Sequence, residues 1–177
     1  MAASPELDQP TTDAPGVNPD RHVYGNPQAE LTVVEYGDFE CPYCGAAAPV
    51  LKELIDSSNG RVRLVFRHFP LFEPHPFALT AALAAEVSGD RFWAMHDQLF
   101  AHQHRLTDPD LDSYAARVGA GTVTGEAAQR GRPAVEADYR SGGQAGVRGT
   151  PTLFLDGRRY SGRVARGPLR SALGLGR

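Results

Sequence analysis

A β-branched, apolar run at Leu31-Thr32-Val33-Val34-Glu35-Tyr36 breaks at Gly37-Asp38 and gives way to Cys41-Pro42-Tyr43-Cys44 at the head of a helical pattern. The run is short and is preceded by Asn26-Pro27, which marks a buried strand. After the cysteines, Ala47, Leu51, Leu54 and Ile55 recur at helical spacing until Asn59-Gly60 stops them, and a second strand is expected at residues 62–66. Strand, helix, strand in that order makes a unit whose two strands run parallel.

From residue 75 to residue 146 the pattern is helical. Phe77, Ala81, Leu83, Ala84 and Val87 predict one helix, and Phe92, Met95, Leu99 and Phe100 a second after Gly89-Asp90. Asp108-Pro109 reads as another helix start, with Asp108 as cap and Pro109 in the first turn, leading to Leu111, Tyr114, Ala115 and Val118. A short helix is expected over residues 133–140, while residues 119–131 carry no firm pattern. β structure returns at residues 152–155, turns at Asp156-Gly157 and comes back over residues 159–161 as a hairpin, before a last helix at residues 167–173. The expected fold class is α/β, a central mixed β-sheet flanked by helices. Its two halves, residues 26–74 and 147–177, are separated by an all-helical insertion at residues 75–146. Residues 1–25, rich in Pro, Asp, Thr and Gly and lacking hydrophobic periodicity, are expected as a mobile tail.

A chain of 177 residues buries about 70% of its unfolded surface without covalent staples. Two cysteines three apart would close a loop too small to constrain the unfolded chain, so reactivity is the better reason for the pair. A net charge of -3 points to neither nucleic acid nor an anionic membrane as partner. No apolar run approaches the roughly 18 residues of a membrane span, and the first residues lack the basic start and apolar core of a leader. The expectation is a cytoplasmic protein, or an exported one if a leader preceded the tail.

The dithiol stands where a strand ends and a helix begins. The first turn of a helix has unpaired N–H groups and a partial positive charge, which stabilise a thiolate and lower the pKa of Cys41. Each unit of lowering favours the thiolate by about 1.4 kcal/mol. Pro42 suits the first turn because its missing N–H costs nothing there, and with Tyr43 it shapes the site. Cys41 is the expected attacking sulfur, and Cys44, three residues further into the helix, the buried resolving sulfur. Glu35 lies in the apolar strand, where a buried carboxylate is costly. With a raised pKa beneath the dithiol it would accept the proton of Cys44. The alternative is a glutamate facing out from the strand.

Glu35 six residues before the first cysteine, Cys-Pro-Tyr-Cys at the helix start, Pro49 five residues past Cys44, and Gly146-Val147-Arg148-Gly149-Thr150-Pro151-Thr152 before a hairpin together resemble the thioredoxin superfamily. The long helical insertion makes the chain similar to the DsbA-like branch, over residues 26–177. The resemblance implies a thioredoxin fold with an inserted helical subdomain and thiol-disulfide oxidoreductase activity without metal or organic cofactor. It also implies a cis Thr150-Pro151 bond packed against the dithiol, with the Thr150 backbone receiving a substrate strand. Partners would be protein or peptide thiols and disulfides, glutathione among them, and a redox recycling protein. The chain departs from strongly oxidising relatives in having Pro-Tyr, as glutaredoxins do, where they have Pro-His; without that imidazole a milder oxidant is expected. Threonine before the proline occurs in isomerase relatives, which keeps disulfide shuffling open.

Other residues admit other readings. His68, His75, His96, His102 and His104 raise a metal site with the cysteines, but a closed zinc site usually takes two close ligand pairs and there is no second cysteine pair. His96, His102 and His104 are expected in solvated or capping roles, and His68 as facing the dithiol. Phe92, Trp93, Phe100 and Tyr114 are expected as helical core. Arg130, Arg132, Arg140 and Arg148 are expected on a solvated face. Beside the enzyme stand two further classes, a peptide- or partner-binding module without redox turnover and an iron-sulfur cluster bridged between two Cys41 thiolates with glutathione.

Overall fold

In the computed structural model, which describes residues 18–176, strands β1 (Val23–Gly25), β2 (Leu31–Gly37), β3 (Val62–His68), β4 (Thr152–Leu155) and β5 (Arg158–Tyr160) form one sheet in the order β1-β3-β2-β4-β5. β2 runs parallel to β3 and antiparallel to β4, so the sheet is mixed, as expected. Helix α1 (Pro42–Asp56) makes the crossover from β2 to β3. The insertion supplies α2 (Ala78–Val87), α3 (Phe92–Ala101), α4 (Asp108–Val118), α5 (Gly125–Gln129) and α6 (Arg132–Gln144), and α7 (Arg166–Ala172) follows the hairpin.

Both faces of β2 are covered. Val33, Leu64, Leu153 and Leu155 pack against Leu51 and Leu54 of α1 and Leu169 of α7. Val34, Tyr36, Val65 and Phe154 form a second layer with Phe69. Each fully buried aliphatic side chain here contributes about 2 kcal/mol relative to exposure. A strand buried on both faces shows no polar alternation, which is why the direction of Glu35 was not legible. Its register opposite Phe66 and Leu153 puts it on the Val33 face, beneath α1, and it is fully buried, so the outward-facing alternative is excluded. The insertion core, with Phe92, Met95, Leu99 and Leu111, is continuous with the sheet through Phe39 and Phe66.

Several boundaries differ from the sequence reading. Residues 1–17 lie outside the described residues, but Val23–Gly25 is no tail: it pairs antiparallel with β3. Arg67 holds the residues before it, donating to the carbonyls of Asn18 at 2.7 Å and Arg21 at 2.9 Å. The cap of α4 is Thr107 rather than Asp108, because Thr107 keeps an extended backbone while its N–H and hydroxyl are accepted by the Asp110 carboxylate at 3.3 and 2.7 Å. α6 runs past Arg140 through Gly142, whose bare Cα lets the helix approach the sheet. A Cβ there would lie 2.7 Å from Phe69 and 3.0 Å from Tyr36. Gly142→Ala should therefore destabilise by about 1–2 kcal/mol in denaturant unfolding, overpacking outweighing alanine's better helix propensity.

A buried ion network ties the insertion to the sheet. Glu86 Oε2 accepts from Arg21 Nη1 at 2.6 Å and lies 2.7 Å from His22 Nε2 and 3.1 Å from His68 Nε2. Asp138 accepts from Arg21 and from the backbone N–H of His68 at 3.0 Å, with Arg67 Nε at 3.8 Å. Hydrogen bonds from the two histidines hold Glu86 far below the carboxylate range against its desolvation, and burial pushes His22 down to about 4, hence neutral at pH 7. His22, His68 and Glu86 converge as metal ligands do. Two guanidinium and two carboxylate charges already balance here, so a divalent cation would stand uncompensated in a buried site. His68 thus serves this network.

Candidate active site

Cys41 is the N-cap of α1, with φ -72° and ψ 120°, and Pro42 opens the first turn. The cap position brings the backbone N–H groups of Tyr43 and Cys44 near the Cys41 sulfur without forming a capping hydrogen bond. Both cysteines are free thiols and both are buried. The Cys41 thiol donates to the carbonyl of Thr150 at 3.4 Å, and the Thr150-Pro151 peptide bond is cis. Tyr43 is 74% exposed beside the pair.

The two sulfurs titrate in opposite directions. Cys41 falls to about 5, chiefly because the Cys44 thiol donates to its thiolate, and then through the neighbouring Thr150 and the N–H groups of Cys44 and Tyr43, all working against partial desolvation. The helix terminus invoked from sequence is thus a contributor, but the neighbouring thiol is the larger one. Cys44 is pushed well above the ordinary range by burial, by its bond to Cys41 and by the charges of Glu35 and Cys41. Glu35 is raised to about 8, first by burial and then by the Cys41 charge, and neither carboxyl oxygen has a hydrogen-bond partner. The site thus brings together one lowered thiol, one raised thiol and one raised buried acid.

Three insertion contacts hold the loop before Cys41, and sequence reasoning missed all of them. Asp38 Oδ1 accepts the Glu40 N–H at 2.8 Å, while Oδ2 accepts the Leu71 N–H at 2.9 Å and lies 2.7 Å from His75 Nδ1. Glu40 Oε2 accepts the Phe77 N–H at 2.7 Å. Gln103 Nε2 donates to the carbonyls of Phe39 at 2.9 Å and Cys41 at 2.8 Å. Gly45 makes room for that amide, since a Cβ would lie 2.4 Å from Gln103 Oε1. Asp38 was legible as a strand-ending residue but not as a clamp, and His75 had been weighed only as a metal ligand. Of the other histidines, His102 caps α3 through Gln98 O at 2.8 Å, whereas His96 is buried among Phe39, Phe66 and Phe100 rather than solvated. Phe92 and Tyr114 are core and Trp93 and Phe100 pack against it, as expected.

The sequence profile of the family described as Thioredoxin matches residues 17–173. The chain belongs to the thioredoxin superfamily. A thioredoxin-like oxidoreductase from Silicibacter pomeroyi superposes with a TM-score of 0.76 at 27% identity, covering 95% of this chain and 96% of that one. DsbA2 of Pseudomonas aeruginosa superposes at 0.64 with 27% identity, over 85% of this chain and 90% of its own. The protein named Na(+)/H(+) antiporter NhaA 1 of Salinispora arenicola is 48% identical over 153 residues, which are 82% of this chain and 23% of that protein. The chain thus spans about a quarter of that relative's length. Among the described residues of this thioredoxin-superfamily member, no helix is long and apolar enough to cross a membrane.

Proposed function

We propose that this protein is a thiol-disulfide oxidoreductase whose turnover runs through Cys41 and Cys44 on protein, peptide or small-thiol substrates. The observation that carries the reading is the pairing of a thiol lowered to about 5 with a buried thiol raised beside an acid of about 8. The Cys41 thiolate attacks one sulfur of a substrate disulfide, forming the Cys41 mixed disulfide and releasing a substrate thiolate. Forming the mixed disulfide removes the Cys41 charge that helps hold Glu35 protonated, and the ionised fraction of Glu35 then accepts the Cys44 proton as Cys44 attacks the Cys41 sulfur. That step forms the Cys41-Cys44 disulfide and expels the second substrate thiolate, so one disulfide is reduced and one formed. Run in reverse, the same steps oxidise a substrate dithiol.

The Thr150 carbonyl, beside the Cys41 sulfur, suits pairing with the backbone of a substrate strand. Tyr43 and Pro42 shape the approach, and Pro151 holds the Thr150 loop beside the dithiol. Shuffling by the same thiolate makes this site a disulfide isomerase as well. A glutathione equilibrium tests the reading. A potential of about -120 to -180 mV marks a disulfide donor or isomerase, and about -230 to -270 mV a reductant suited to the cytoplasm and to a recycling partner there. Failure to form an intramolecular disulfide sinks the reading.

The antiporter relative supports a second reading, a partner-binding module attached to or associated with a transporter. Cys41→Ser separates the two, since loss of exchange with partner binding intact would sink the binding-only reading.

A further inference from the structure

From Gly146 to Arg177 the chain carries seven arginines against one acidic side chain, Asp156, although its net charge is -3. Two of them flank the loop that carries Thr150. Arg159 of β5 donates from Nη1 to the Gly146 carbonyl at 2.9 Å, and Arg148 donates from Nη1 to the Val147 carbonyl at 3.3 Å. Each bond uses one nitrogen and leaves the rest of the guanidinium fork for a ligand. Both side chains are exposed. Arg166 pairs with Glu53 at 3.3 Å, but Arg148, Arg158, Arg159 and Arg163 form no ion pair among the described residues. The segment that holds the loop before Cys41 carries the opposite sign, with Glu40 accepting the Phe77 N–H and Glu73 exposed.

Charged residues on a sheet edge often guard against edge-to-edge pairing, and β5 is an edge. That explains Arg158 and Arg159 but not Arg148, which lies off the strand, two residues before the carbonyl that faces Cys41. A planar guanidinium binds a carboxylate through two parallel hydrogen bonds, and a pair of them beside a strand-pairing site reads acidic side chains of that strand.

We infer that the substrate's reactive cysteine sits in an acidic segment, whose carboxylates engage Arg148 and Arg159 while its backbone lies along Thr150. The inference rests on the exchange reading above and adds the substrate class to it.

Three disulfide peptides of one length, with Glu, Gln or Lys flanking the cysteine, test it as substrates of the reduced full chain. The Glu peptide should react about tenfold faster than the Lys peptide at about 50 mM salt, and within about twofold of it at about 0.5 M. The Arg148→Gln, Arg159→Gln double variant should bring the Glu peptide down to the rate of the Gln peptide. Arg130→Gln, on the insertion, should keep the preference. Equal wild-type rates for all three peptides overturn the acidic-segment inference and leave the exchange reading intact. A preference that persists in the double variant overturns the assignment to these arginines. No exchange with any peptide removes the exchange reading and the inference with it.

Discussion

Replacing Glu35 with glutamine is expected to stabilise the reduced protein by roughly 3 kcal/mol at pH 7 while slowing the Cys44 step by about 100-fold. Burial and the Cys41 charge raise the carboxyl from 4.5 to about 8. The folded chain therefore holds this proton more tightly than the unfolded chain does. The stability it contributes is complete below pH 4.5, falls by about 1.4 kcal/mol per pH unit above that, and levels off past pH 8. Glutamine fills the same space without ionising, so the fall disappears. Denaturant unfolding of the reduced wild type and variant across pH 5–8 reads the difference as about one slope lost. Rapid-mixing kinetics should show the mixed disulfide accumulating in the variant. Equal stability at pH 7 together with unchanged resolution would show that no buried protonated acid lies beneath the dithiol.

Cys41→Ser is expected to reduce disulfide exchange by more than about 1000-fold, and to remove the thiolate absorbance that titrates near pH 5 in the wild type. Cys44→Ala should keep that absorbance but shift its titration upward, because the first cause of the Cys41 shift is the hydrogen bond from Cys44. It should also trap the mixed disulfide for mass spectrometry. The sign of the stability effect is opposite to that of Glu35. A thiol depressed from 9.0 to about 5 stabilises the folded reduced form fully above pH 9 and loses that contribution as the pH falls through 5. At pH 7 roughly 3 kcal/mol remains, equivalent to about 60 mV toward a more oxidising disulfide. An absorbance transition near the value of a free cysteine, about 8.5, would remove the asymmetry on which the proposed turnover rests.

At pH 7 the two effects nearly offset each other in the reduced protein, one acid held protonated and one thiol held ionised. A dithiol site with both is held together by the surrounding core rather than by its own charges. That core is the leucine layer under α1 and the phenylalanine layer through Phe39 and Phe66.

Much of this was legible in the sequence because it is local. The strand before the cysteines, the helix after them and the hairpin past Pro151 each follow from residue type and short spacing, and Pro42 at the helix start identifies the turn in which the thiolate sits. The short strand β1 was not legible, because three residues carry no period and its pairing comes from β3, some 40 positions away. The clamp on the site was hidden for the same reason: Asp38 meets His75 across 37 residues, and Gln103 reaches Cys41 across 62.

By itself the sequence determined the order of elements, the placing of two thiols at a helix start, and the presence of an acid in the strand before them. These depend on chain neighbours and on the backbone geometry that proline and the helix start impose. Only the tertiary structure decided which face Glu35 occupies, that the Cys44 thiol outweighs the helix terminus in lowering Cys41, and that arginines flank the Thr150 loop. Desolvation and through-space charge have no sequence period; they arise only when β2, α1, the insertion and the hairpin close around the same few ångströms.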